Sequence, residues 1–271
     1  MLGLAVAAGC HAHAVHVDHG LRLSSADEAE VVRAAALCLG VTWQTVAVRV
    51  APGPDLEARA RAARYDALPE GVMVGHTADD QAETLVLNLL RGAGLDGLSG
   101  MRASGGGRRG VARPILALRR TETSAFASAL GLATVTDPSN SERRFRRNRV
   151  RHEILPLLAD VAQRDPVPIL VRMAQSLAED AELLGALASG LDPTDAAALR
   201  AAPKPLAKRA LRAWLRAEQG PEHHPPSSAE LDRTWAVVTG ETIACELTGG
   251  RRVSRDRGRL RVSARRPPVE V

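Results

Sequence analysis

The stretch Gly75-His76-Thr77-Ala78-Asp79-Asp80-Gln81-Ala82-Glu83-Thr84 decides the fold. An apolar run, Val72-Met73-Val74, precedes it, and apolar residues recur behind it at helical spacing. The pattern predicts a buried strand, a turn at Gly75 and a helix with Thr77 as its N-cap, answered by Asp80 three residues later. Because open α/β sheets bind ligands at the carboxyl ends of their strands, this junction predicts a ligand site.

Two carboxylates and an imidazole gather in the first turn of this helix. Spacings of four and three residues put His76, Asp80 and Glu83 along one side of it. The backbone donors of a helix N-terminus suit phosphate, whereas carboxylates suit it only if Mg²⁺ or an ammonium group lies between. Asp79 and Asp80 are the candidate Mg²⁺ ligands. The plain alternative is an acidic, well-capped helix start beside a buried histidine.

Working outward, strands and helices alternate through the first half of the chain. The predicted strands are 13–17, 43–50 and 72–75, and the predicted helices between them are 25–39 and 56–68. This alternation predicts an α/β fold with a parallel, Rossmann-like doubly wound sheet. Beyond the first motif, Arg113–Leu116 is a short strand candidate, Thr121 is expected to cap a helix to Leu130, and 133–136 is a candidate last strand.

The densest charge lies at 143–152. This stretch contains six arginines, and the nearest acidic residues are Glu142 and Glu153. Such a run is commonly a solvated helix face, but this excess favours an anion, with phosphate backbone the obvious one. The remainder predicts helices followed by a small β-hairpin. We therefore expect two domains, an α/β domain at 1–160 and a mostly helical domain at 161–271.

Composition sets wider bounds. The 271 residues carry a formal charge of +5, and 45% are hydrophobic but only 2% aromatic, so the core consists of Ala, Leu and Val. The cysteines Cys10, Cys38 and Cys245 form no CxxC pair, which favours a reduced, cytoplasmic setting. No segment reaches the length of a membrane span, so no membrane partner is expected.

Taken together, several ordered motifs between residues 12 and 158 resemble the tRNA(Ile)-lysidine synthetases, members of the N-type ATP pyrophosphatases. The motifs are His16–Arg22, Arg61/Arg64-Tyr65, Gly75–Thr84, Arg91–Met101, Arg113–Leu116, Asp137–Asn140 and Arg147–His152. The helical tail ending in a hairpin is similar to the middle domain of that family. The resemblance therefore implies a catalytic domain at 1–160 and a substrate-binding or tRNA-binding domain at 161–271. Each motif is modest, but the ordered set is specific.

The resemblance implies a ligase that uses ATP and Mg²⁺. It would adenylate C2 of the wobble cytidine, C34, in tRNA-Ile with a CAU anticodon, and the ε-amine of free L-lysine would then displace AMP. The implied catalytic residues are His76, Asp80 and Glu83. The implied nucleotide-binding residues are His16, Asp18, His19, Arg22, Arg91 and Gly92. The residues implied for the target nucleotide and tRNA are Arg61, Arg64, Tyr65, Arg146, Arg147, Asn148, Arg149 and Arg151. A homodimer is an open alternative for the assembly.

One departure from the family pattern is large. The phosphate loop of that family, Ser-Gly-Gly-x-Asp-Ser, is expected upstream of residue 12 and is not present there. Our hypothesis is a misassigned or truncated start, which predicts this motif in frame upstream in the gene.

Other functions remain open on the sequence alone. A tRNA cytidine thiolase would need cluster-binding cysteines, which the missing CxxC disfavours. A metal-dependent phosphoesterase could use His16, Asp18, His19, His76, Asp79 and Asp80. A tRNA-binding remnant without catalysis is the third alternative.

Overall fold

The computed structural model describes residues 1–18, 25–50, 56–104, 110–135, 142–219 and 226–264. It divides into two compact units, Met1–Ala178 and Glu179–Val271. The predicted domain boundary at 160/161 stays a prediction. No described helix is long and apolar enough to cross a membrane.

The first unit begins with the predicted alternation of helices and strands. Helix α1 (Leu2–Ala7) leads to β1 (His13–Asp18), α2 (Ser25–Cys38), β2 (Thr42–Ala47) and α3 (Leu56–Ala67). Strands β1 and β2 pair in parallel, with His13 opposite Thr42 and Asp18 opposite Ala47. The predicted α/β class with a parallel sheet is therefore confirmed.

The three later strands predicted in this unit are not observed among its described residues. In place of a strand at 72–75 there is one parallel bridge, Met73 to Ala112. Residues 113–116 form a turn because Leu116 N donates back to Arg113 O, at 3.2 Å. The described part of 133–136, residues 133–135, is not a strand either.

The motif helix follows the bridge as predicted. Helix α4 (Ala78–Leu90) has Thr77 as its N-cap, and Thr77 N and Oγ1 each donate to Asp80 Oδ2 at 2.8 Å. After α5 (Leu95–Leu98) comes α6 (Arg120–Ala129), whose N-cap is Arg119 rather than the predicted Thr121. Thr121 lies inside this helix, because the Glu122 carboxylate accepts from Arg119 N and starts it two residues earlier.

The arginine-rich segment packs on α4. Helix α7 (Arg146–Arg149) passes through a π-helical turn (Val150–Ile154) into α8 (Leu155–Ala162). The apolar side of this segment joins α4 in one core, together with residues that follow Pro166. The buried members of that core are Ala78, Ala82, Val86, Val150, Leu155 and Val167.

The second unit has its own core between helices and a hairpin sheet. Helix α9 (Val167–Ser189) continues into it, followed by α10 (Ala196–Ala201), α11 (Lys204–Gln219) and α12 (Ser228–Thr239). Strands β3 (Ala244–Leu247), β4 (Arg251–Asp256) and β5 (Arg259–Ala264) pair antiparallel in that order. The predicted helical region with a small hairpin is therefore confirmed.

Candidate functional site

A cleft of about 1060 Å³ lies between β1 and the segment Val72–His76. Four residues that the sequence singled out line it, together with apolar residues of α1 and α2. Those four are His16, Asp18, Arg64 and His76. Nε2 of His16 is buried, and no described residue hydrogen-bonds to it. The cleft therefore has a volume typical of ligand sites and an unsatisfied polar atom.

His76 is oriented by an arginine. Arg113 is 8% exposed, and its Nε donates to His76 Nδ1 at 3.2 Å. Because Nδ1 accepts this bond, a neutral imidazole carries its proton on Nε2. The Arg113 bond thereby fixes the orientation of the His76 ring beside the cleft.

The two other members of the predicted trio lie in a network of arginines. Glu83 is fully buried and accepts from three of them. The contacts are Arg147 Nε to Oε2 at 2.6 Å, Arg151 Nε to Oε1 at 2.7 Å, Arg120 Nη2 to Oε1 at 3.1 Å and Arg151 Nη2 to Oε2 at 3.2 Å. A buried carboxylate needs this many partners because an unpaired charge in a protein interior is strongly destabilising.

Asp80 lies at the edge of the same network, with 16% of its side chain exposed. Its Oδ1 accepts from Arg147 Nη2 at 2.9 Å and from Arg120 Nη2 at 3.2 Å, while Oδ2 holds Thr77. Burial acts to raise the pKa of Asp80, but the hydrogen bonds from Thr77 and the two arginines outweigh it and lower the pKa. Asp80 is therefore ionised at neutral pH.

Asp79 is paired with a different arginine, Arg119, and with a backbone N–H group. Arg119 Nη2 donates to Oδ1 at 3.1 Å and Arg120 N donates to Oδ2 at 2.7 Å. Burial acts to raise the pKa of Asp79, but the hydrogen bonds from Arg119 and the Arg120 backbone outweigh it, so the pKa is lowered. Arg119 also pairs with Asp165.

Metal binding by these carboxylates is not favoured by their surroundings. The described residues contain no group of three or more His, Cys, Asp and Glu side chains that could hold a metal ion. Both oxygens of Asp79 and of Asp80 already accept hydrogen bonds, mainly from cationic arginines. Asp79 and Asp80 therefore do not fit a Mg²⁺ site as they are arranged here.

The predicted RNA-binding arginines fall into two environments. Arg147 and Arg151 contact Glu83, whereas Arg146 and Arg149 are exposed, and Arg149 pairs with Glu153 at 3.2 Å. Asn148 is buried, and its Nδ2 donates to Glu142 O at 3.0 Å. The segment thus has one side facing α4 and one facing solvent.

The glycine-rich loop after α4 is attached to that helix. Gln81 is buried, donating to Met101 O and accepting from Met101 N. Asn88 Nδ2 donates to Gly97 O at 2.8 Å. Arg91 and Gly92 are exposed at the start of this loop. These bonds order a loop that its glycines alone would predict to be mobile.

The remaining predicted residues lie beside the cleft or outside the described residues. Arg64, which lines the cleft, also lies over the Tyr65 ring, 5.2 Å from its centroid. His19 and Arg22 lie outside the described residues, as do Asp137–Asn140 and the side chain of Arg61. Arg113, Arg119 and Arg120 were not predicted from the sequence as partners of these side chains. A signal existed for the last two, since arginines at a helix N-terminus oppose the helix dipole unless acids are close.

Comparison with known protein families identifies two segments. Residues 2–158 match the PP-loop domain, and residues 195–261 match the TilS substrate binding domain.

Several curated relatives carry one name, tRNA(Ile)-lysidine synthase. The one from Mycolicibacterium paratuberculosis is 45% identical over 214 residues, which are 74% of this chain and 66% of that protein. Those from Mycobacterium tuberculosis and Nocardia farcinica are 37% and 39% identical over 94% of this chain and 84% and 85% of their own lengths. The chain thus spans just under two thirds of the first relative and most of the other two.

One solved structure is similar at a lower level. The U34-tRNA thiolase NcsA from Methanococcus maripaludis with its [4Fe-4S] cluster matches 62% of each chain, with 18% identity and a TM-score of 0.46.

Proposed function

Because this chain belongs to the tRNA(Ile)-lysidine synthase family of PP-loop proteins, we propose that it makes lysidine in tRNA-Ile with a CAU anticodon. ATP supplies the adenylyl group that activates C2 of C34 and releases pyrophosphate, and the ε-amine of free L-lysine then displaces AMP. The observation that carries the proposal is the relatedness at 37–45% identity over most of the chain.

The cleft between β1 and Val72–His76 is our candidate nucleotide site. Its volume is ample for a nucleotide, and the buried Nε2 of His16 lacks a partner among the described residues. His16, Asp18 and His76 line this cleft and would contact the nucleotide. Arg91 and Gly92, with His19 and Arg22, remain predictions for the same role.

Asp80 is our candidate for the lysine amine. It is ionised and 16% exposed, so of the two carboxylates it is the one that a substrate amine can reach, whereas Glu83 is fully buried. A carboxylate with a lowered pKa is a weak base, so it orients the amine better than it removes its proton. Glu83 then acts as a positioning residue for the arginines. A requirement for Mg²⁺ stays a prediction that is not attached to Asp79 or Asp80.

RNA binding would use the solvent-facing side of α7. Arg146 and Arg149 are exposed there, and Arg64 with Tyr65 offers a stacking surface for a base. Arg147 and Arg151 reach RNA only through donors that Asp80 and Glu83 leave unused. Homodimerisation and a cytoplasmic location remain predictions.

Omitting each substrate in turn tests the reaction class. The formation of AMP from ATP is measured by separating labelled nucleotides. It should require both lysine and the tRNA. AMP formed without tRNA, or hydrolysis of a phosphoester without lysine, would favour the phosphoesterase alternative. Binding of tRNA with no AMP at all would favour the tRNA-binding remnant.

A further inference from the structure

Three arginines, from α6, α7 and the π-helical turn, surround two carboxylates of α4, and we call these five residues the Glu83 cluster. The members are Arg120, Arg147, Arg151, Asp80 and Glu83. Asp79 is neutralised separately by Arg119, whose other contact is the exposed Asp165. The cluster itself therefore carries one net positive charge.

The arginines approach the carboxylates through the same side of each guanidinium. Arg147 and Arg151 use Nε and Nη2, and Arg120 uses Nη2 alone. Within the described ranges, Nη1 of all three arginines and Nε of Arg120 donate to no protein acceptor. Guanidiniums held in this way retain donors in a fixed geometry, which suits an oxyanion.

Arg120 is the member most accessible to a ligand. Its side chain is 36% exposed, against 27% for Arg147 and 23% for Arg151. Its backbone is fixed as well, because Arg120 N donates to Asp79. A side chain fixed at its backbone and at Nη2 loses little further entropy when it binds a ligand.

We propose that Arg120, with Nη1 of Arg147, forms a phosphate-binding site that Asp80 and Glu83 hold in place. The ligand is a phosphate group, and its two sources are the polyphosphate of the nucleotide and the tRNA backbone. The inference rests on the proposed function only where it names these two sources of the phosphate. Binding of inorganic pyrophosphate is a property of the site that does not depend on lysidine formation.

The experiment compares the wild-type chain with Arg120→Gln and Arg120→Lys. Lysine keeps the charge but cannot bond both carboxylates and an anion together, so it separates geometry from charge. Arg172→Gln, an exposed arginine on α9, is the matched control for loss of one charge. Thermal unfolding midpoints establish whether each variant is folded. If Arg120→Gln is not folded, Arg120→Lys alone is compared with the wild type.

Affinities for inorganic pyrophosphate, for ATP and for tRNA across a salt series identify the source. Loss of about tenfold or more in pyrophosphate and ATP affinity in Arg120→Gln, with a smaller loss in Arg120→Lys, supports a nucleotide phosphate. Unchanged pyrophosphate affinity with a tRNA salt slope reduced by about 1 supports the tRNA backbone. Effects in all three assays no larger than those of Arg172→Gln would overturn the proposal, whether or not the chain makes lysidine.

Discussion

Arg151 Nε lies 2.7 Å from Glu83 Oε1, and this bond joins the π-helical turn to a carboxylate with no exposed surface. Arg151 also bonds Oε2 through Nη2, so it holds the carboxylate by two contacts. Burial acts to lower the pKa of Arg151, but the Glu83 carboxylate outweighs it, so the pKa is raised. This pair fixes the arginine-rich segment on α4.

Removing the buried charge should therefore destabilise the first unit. Glu83→Gln leaves three guanidiniums around an amide, and breaking a buried ion pair on one side costs about 3–5 kcal/mol. Chemical denaturation monitored by circular dichroism measures this loss. Glu153→Gln is the control, since Glu153 pairs with the exposed Arg143 and Arg149 and its loss should change stability little. Equal effects of the two substitutions would show that Glu83 is not the organising carboxylate.

The loop after α4 should be sensitive at one glycine. Gly100 has φ +69°, and a Cβ there would lie 2.6 Å from Gln81 Nε2, which holds Met101. Gly100→Ala combines backbone strain with loss of the Gln81 contacts, for about 2–3 kcal/mol of destabilisation. Gly71→Ala has the same φ with nothing within 4 Å of the added Cβ, so it measures strain alone. The Gln81 contact is unimportant if both variants unfold at the same denaturant concentration.

Stability of the second unit should depend on pH through Glu230. Its carboxylate accepts from Ser227 N and Thr248 N, each at 2.8 Å, and is 4% exposed. Burial acts to raise its pKa, but these hydrogen bonds lower the pKa from 4.5 to about 2. The stabilisation, about 3 kcal/mol, is complete above pH 4.5 and is lost as the pH falls towards 2.

Glu230→Gln should therefore lower stability at pH 7 and flatten its decline between pH 4.5 and 2. Urea titrations across this range measure the effect, and the exposed Glu246→Gln is the control. A wild-type decline that persists unchanged in Glu230→Gln would assign the acid sensitivity to other groups.

Arg149 and Arg147 should differ in their effects on tRNA binding. Arg149→Gln removes an exposed charge, so we expect the salt slope of tRNA binding to fall by about 1 with stability unchanged. Arg147→Gln removes a partner of Glu83 and should also reduce stability. Filter binding at several salt concentrations, with unfolding curves on the same samples, compares them. If neither variant alters the slope, α7 is a solvated surface without an RNA contact.

The strong local signals in the sequence predicted much of this fold. The capped helix at Thr77, the strand at 13–17 and the hairpin follow from periodicity and turn residues that act within a few positions. The strand predicted at 72–75 became one bridge because pairing depends on a neighbour far along the chain. The extent of a strand is therefore not determined by its own residues.

The sequence placed Asp80 and Glu83 on one side of α4 but did not predict the arginines that bond to them. His76, the third residue of that group, bonds to Arg113, which the sequence did not predict either. Arg119 and Arg120 lie some 40 residues away in sequence, and no local pattern joins them to α4. Long-range ion pairs of this kind depend on the tertiary fold, which spacing rules do not describe.

The most direct test is ATP-dependent incorporation of labelled lysine into tRNA-Ile with a CAU anticodon, by the longest in-frame form that the gene encodes. We expect incorporation by the wild type, none into the same tRNA with U at position 34, and none by Asp80→Asn although its tRNA affinity is nearly intact. The substitution replaces the carboxylate that accepts from Arg120 and Arg147 with a neutral amide. The negative charge proposed to hold the lysine amine is then lost. Normal lysine incorporation by Asp80→Asn would contradict its assigned role, and tRNA binding without any incorporation by the wild type would contradict the proposed function.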